Sequence, residues 1–191
     1  MKKIMVYVLY LLVVWGSFRY FFDFSDVVEE LWFKPVIWLV PLFWWNISIK
    51  NRVKFFEGNG YLSLLWGVVA GAVYCLLVGE FSRFGNITLD ILGIAMVTSM
   101  VEEMTFSGFV LGYLLQKKYS ENLAIFTLGL VVMLTRLPIL MFGFEIKGRE
   151  LFFVSLFVFA IAIINGLIRV KTNNVLGSIL ARVAVNIVSM V

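Results

Sequence analysis

Two adjacent carboxylates, Glu102 and Glu103, stand in the middle of an apolar stretch, VTSMVEEMTFSGFVLGYLL, running from Val97 to Leu115. A carboxylate can take a proton from water as a general base, or it can neutralise a guanidinium. What lies opposite decides between these. An ionisable group this deep in an apolar segment normally faces a protein interior and marks a site. Later in the chain, Arg136 lies in VVMLTRLP, and Arg182 and Asn186 lie in SILARVAVNI. The chain has no histidine and one cysteine, Cys75. The commonest general base and metal ligand are therefore missing, and neither an intrachain disulfide nor a two-cysteine metal site is possible. No cofactor and no metal site is expected.

The elements that position these residues follow from composition. Of 191 residues, 62% are hydrophobic, 17% aromatic and 15% charged. A water-soluble domain cannot cover that much apolar surface. The apolar runs are long and continuous rather than alternating, which excludes a barrel in favour of helices. The expected fold is all-α, a polytopic membrane helix bundle of about seven transmembrane helices forming a single membrane domain over residues 1–191. The spans are drawn at 4–22, 31–49, 61–78, 87–115, 122–144, 151–168 and 174–191, with DFSDVVEE as an acidic connection before the second. The first has the basic and apolar parts of a signal peptide without its cleavage site, and reads as an uncleaved span. Gly67 and Gly71 in the third suit close helix contacts.

In this drawing Lys2, Lys3, Lys50, Arg52, Lys54, Lys117, Lys118, Arg169 and Lys171 share one side. Arg19, Lys34, Arg83, Lys147 and Arg149 share the other. The excess places the N-terminus in the cytoplasm. Trp15, Trp32, Trp44, Trp45 and Trp66 fall near span ends, where amphipathic rings prefer the interface. Topology accounts for the basic clusters, so no nucleic-acid partner is expected.

Glu103 lies 14 residues before Lys117, Arg136 lies 14 after Asn122, and Arg182 and Asn186 lie 11 and 15 after Lys171. At the helical rise all four sit roughly 16–23 Å from the basic ends, in one layer. Arg182 and Asn186 are four apart and share a face, as do Glu103 and Ser107. The expectation is a buried charge cluster of Glu102, Glu103, Arg136 and Arg182 between the fourth, fifth and seventh spans. Asp90 is placed at the interface, and Asn165 in the sixth span reads as an interhelical hydrogen-bonding residue.

These residues resemble the CPBP family, also called the Abi or type II CAAX-protease family, of intramembrane glutamate proteases. The family's first motif, EExxxR followed by Gly, stands here as EEMTFSG, with Ser107 at the arginine position. Its second, FxxxH often followed by proline, aligns with VMLTRLP, placing Val132 for Phe, Arg136 for His and Pro138 in register. Its third, HxxxN, aligns with Arg182 for His and Asn186 retained. The resemblance covers residues 87–191. It implies that Glu102 is the position that activates water, with Glu103 beside it and Asn186 stabilising the oxyanion. Arginine stays protonated and cannot accept a proton, so both histidine positions have lost that chemistry here.

The leading expectation is a catalytically inactive member, a remnant site of Glu102, Glu103 and Asn186. It would act as a binding scaffold or regulator in the cell membrane of a bacterium. The resemblance implies bacteriocin-immunity-like or cell-wall-enzyme partners: besides lipid, a membrane or cell-wall-associated protein or a peptide. The alternatives are an active intramembrane peptidase using Glu102, or a transporter lined by the cluster.

Overall fold

The computed structural model describes residues 2–22, 24–49, 52–78, 87–143 and 145–190. Seven helical segments run through them: α1 (2–21), α2 (26–47), α3 (Gly60–Val78), α4 (Leu89–Gln116), α5 (121–143), α6 (Gly148–Thr172) and α7 (Leu176–Met190). No strand forms among the described residues. The order matches the seven apolar runs of the sequence, because an apolar segment in lipid satisfies its backbone only by coiling. Four of the seven are individually long and apolar enough to cross a membrane: Gly60–Leu77, Leu89–Gln116, Glu121–Met141 and Gly148–Thr172. The window of α4 is 83% buried, against 28–33% for the other three. The carboxylate-bearing helix is therefore the axis of the bundle, and the others wrap it.

One boundary differs from the sequence expectation. The second helix starts at Asp26, not Leu31, so most of DFSDVVEE is helix rather than connection, and Glu29 and Glu30 are buried. Arg83 and Lys50, counted in the charge asymmetry, lie outside the described residues, as do the side chains of Lys2, Lys3 and Arg19.

Small residues set the closest helix contact. A Cβ on Gly177 would lie 2.0 Å from the Ser63 carbonyl oxygen, and one on Gly67 would lie 2.5 Å from that of Gly177. A Cβ on Gly71 would meet that of Ala184 at 3.0 Å. Helices α3 and α7 thus run parallel along a glycine seam, as Gly67 and Gly71 predict. The Gly177 N–H also donates to Ser63 Oγ (2.8 Å), whose hydroxyl donates to the Asn174 carbonyl (3.0 Å). Gly177→Ala should force the backbones apart and cost about 1–3 kcal/mol, the usual range for overpacking, read as a lower melting temperature in detergent.

The segment between α2 and α3 folds back under the end of the bundle that carries Lys117 and Lys171. Val53 exchanges two hydrogen bonds with the Asn46 side chain, its N–H donating at 2.8 Å and its carbonyl accepting at 3.0 Å. Its side chain covers Gly112, and the Phe55 ring covers Gly108. Val175 N–H donates to the Phe55 carbonyl (3.1 Å) and Gly58 N–H to that of Asn173 (2.9 Å). The Arg169 guanidinium ties the same segment to the α6–α7 turn, donating to the Lys54 carbonyl (2.7 Å) and to Asn173 Oδ1 (2.6 Å). Asn173 takes the left-handed conformation (φ 50°) that ends α6.

Candidate functional site

Helix α2 runs parallel to α4 in a fixed register of 68 residues. Glu30 meets Thr98 and Lys34 meets Glu102 at that separation, and the Trp38 ring sits edge-on to Phe106 one turn further. This register carries Lys34 into the layer of the carboxylates. Its ammonium donates to Glu30 Oε2 (2.6 Å) and Glu102 Oε1 (2.8 Å). It also lies over the rings of Trp38 (5.5 Å) and Trp15 (5.9 Å). Two carboxylates and two indole faces therefore enclose one ammonium, the arrangement that best offsets its loss of water. Trp15, expected at the interface, is instead buried with Trp38 for this purpose, while Trp32, Trp44 and Trp66 are exposed.

Glu102 is the hub. Its Oε2 accepts from Arg182 Nε (3.2 Å), Arg182 Nη2 (2.9 Å) and Arg136 Nη2, while Lys34 holds Oε1. Three of these four cationic hydrogen bonds converge on Oε2, and Oε1, with one, keeps a second acceptor site. The side chains of Glu102, Lys34 and Arg182 are 1%, 4% and 5% exposed. Arg136 and Arg182 reach it from α5 and α7 as their depths predict.

Glu103 departs from the expectation. Neither arginine makes an ion pair with it. Asn165 Nδ2 donates to its Oε1 (2.7 Å) and Ser107 Oγ donates to its Oε2. Successive helix positions point about 100° apart, so only one of two adjacent carboxylates can face α5 and α7 together. Asn165 is the interhelical hydrogen-bonding residue the sequence suggests: it also accepts from the Tyr74 hydroxyl (3.2 Å), and its carbonyl accepts from Ser178 Oγ (2.8 Å). Asn186 shares the α7 face with Arg182 but sits a turn farther along, where its Nδ2 donates to Ser99 Oγ (3.0 Å). Asp90 is exposed in the first turn of α4.

The charged side chains joined in this network are Glu30, Glu102, Lys34, Arg136 and Arg182, with Glu103 beside them on neutral partners and Glu29 buried next to Glu30. Lys34 and Glu30 escape a sequence reading that starts the helix at Leu31. Their signal is the i,i+4 spacing of Glu30 and Lys34, the orientation that supports a helix rather than a loop. Wide, π-type turns occur beside this layer in α1 (Leu11–Trp15), α2 (Glu29–Phe33), α4 (Met104–Val110) and α5 (Ile139–Gly143). Those in α2 and α5 adjoin Pro35 and Pro138, whose rings disfavour a tight turn. Among the described residues no group of three or more His, Cys, Asp or Glu could hold a metal ion.

Residues 84–188 match the family model described as type II CAAX prenyl endopeptidase Rce1-like. Neither the curated proteins nor the solved structures contain a significant match.

Proposed function

Since the chain belongs to the type II CAAX prenyl endopeptidase Rce1-like family, a group of multi-pass membrane proteins, we propose that it is a non-catalytic member of that family working by binding. The observation that carries this reading is the enclosure of Glu102 by three cations. At the position where the family resemblance puts the water-activating base, Oε2 accepts three hydrogen bonds from Arg136 and Arg182, and Oε1 accepts one from Lys34. A general base must take up a proton near ambient pH, and a carboxylate held by three fixed cations is a poor one. Asn186, in the oxyanion-donor position, is engaged with Ser99. The cluster then serves to lock α2, α4, α5 and α7 into one shape that a partner reads.

In this proposal the protein lies in a bacterial cell membrane with its N-terminus in the cytoplasm. Its partners are a peptide, or a membrane or cell-wall-associated protein, in a self-immunity or scaffolding role. The test is purified protein in liposomes incubated with prenylated and unprenylated apolar peptides, with products resolved by mass. The expected result is no cleavage above that of protein-free liposomes. Cleavage that is lost in Glu102→Gln while the protein stays folded would overturn the reading in favour of an active peptidase.

A further inference from the structure

The contact between α5 and α6 continues past the cluster. On α5, Ile125 and Leu128 meet Gly166, and Gly129 meets Phe159 and Ile163. Seven residues beyond Gly129 on the same face is Arg136, and four before Phe159 on the same face is Ser155. The antiparallel seam therefore brings Arg136 and Ser155 to one level at its far end. Neither is fully bonded. Arg136 donates only through Nη2 to Glu102, which leaves Nε and Nη1 without a protein acceptor among the described residues. Ser155 is 8% exposed, yet its Oγ has no hydrogen-bond partner among the described residues.

Arg136 is also the one cation of Glu102 that reaches the surface, its side chain 25% exposed. It does so away from the lysine-rich end. There, residues 101–114 of α4 are buried, and Val53 and Phe55 cap Gly112 and Gly108. From Arg136 to the last residue of α5 is seven residues, or about 10 Å. A guanidinium at the edge of lipid ordinarily snorkels toward the interface, whereas this one turns inward to Glu102 through Nη2.

We infer that Arg136 and Ser155 form a receiving site for one carboxylate, carried on an apolar polypeptide segment that enters from the end of the bundle away from Lys117 and Lys171. Nε and Nη1 lie on opposite sides of the guanidinium, so a planar carboxylate is held bidentately by one of them together with the second Nη2 hydrogen, and a serine hydroxyl adds a third donor. Lipid phosphates lie at headgroup level, above a site this deep. Glu102 stays neutralised throughout, because Lys34 and Arg182 hold it independently of Arg136. The inference rests on the binding function proposed above.

The experiment uses full-length protein in liposomes under mildly alkaline buffer. The probes are a labelled Leu/Ala helix of about 20 residues carrying one Glu two turns from its end, the same helix with Gln, and laurate as a lipid-borne carboxylate. Energy transfer to labelled protein should give the Glu peptide about tenfold tighter binding than the Gln peptide, the size of one charged hydrogen-bond pair. Arg136→Gln should abolish the difference, Arg136→Lys should leave part of it, and Ser155→Ala should shrink it several-fold with the melting temperature unchanged. Equal binding of the Glu and Gln peptides, or a difference insensitive to Arg136 and Ser155, overturns the site. Laurate competing as well as the Glu peptide overturns its assignment to a polypeptide. Peptide length after binding separates the two proposals: a bound peptide that is cut sinks the non-catalytic reading and leaves the carboxylate site standing.

Discussion

Glu102→Ala is expected to destabilise the protein by about 3–5 kcal/mol, the range for removing one partner from a buried ion pair. The residue is fully enclosed and is the common acceptor of Lys34, Arg136 and Arg182, so its loss leaves two buried cations and the half-buried Arg136 with fewer anions. Glu103→Ala, one position along the same helix, should cost only about 1–3 kcal/mol, because its partners Asn165 and Ser107 are neutral. The contrast between neighbours is the sharp part. Thermal melting in detergent, followed by size-exclusion chromatography, measures both. Adding Arg182→Met to Glu102→Ala should recover part of the loss, and a double-mutant cycle should show strong coupling for Glu102 with Arg182 and weak coupling for Glu103 with Arg182. Equal effects of the two single changes would mean that the hub is misassigned.

Lys34→Met should cost about 3 kcal/mol, and Glu30→Gln should restore part of it in the double variant. The ammonium is 4% exposed and lies between two carboxylates and two indole rings. Methionine keeps the volume and loses the charge, so the change isolates the electrostatic part. Trp15 and Trp38 face the altered group, and their fluorescence should shift with it. An interfacial lysine, as the apolar boundary at Leu31 would have it, would give no effect in either measurement.

These two residues show how far the sequence reaches. Glu102, Arg136 and Arg182 were legible because each is a single charge in a long apolar run, and distance from the nearest basic end fixes depth to within a turn. Depth says nothing about azimuth. That is why the sequence could not assign the arginines to Glu102 over Glu103, and why Asn186 reaches Ser99 instead of the hub. Lys34 was misplaced for a different reason. Acidic residues next to an apolar run look like solvent-exposed loop, and only burial against α4 turns Glu30 and Lys34 into helix interior. The seven helices, by contrast, followed from apolar run length alone, with Gly67 and Gly71 marking their tightest contact.

The parallel register of α2 and α4 has a consequence for biogenesis. A chain is made from its N-terminus, and its early segments enter the bilayer first. Lys34 is synthesised 68 residues before Glu102, whereas Arg136 and Arg182 follow it by 34 and 80 residues. When α4 is inserted, the only cluster cation already in place is the ammonium on α2. That pairing gives Glu102 a counter-charge in lipid ahead of the guanidinium groups that later enclose it. The N-terminal hairpin, which lies outside the stretch matched at 84–188, thus carries the first counter-charge available to the segment within it.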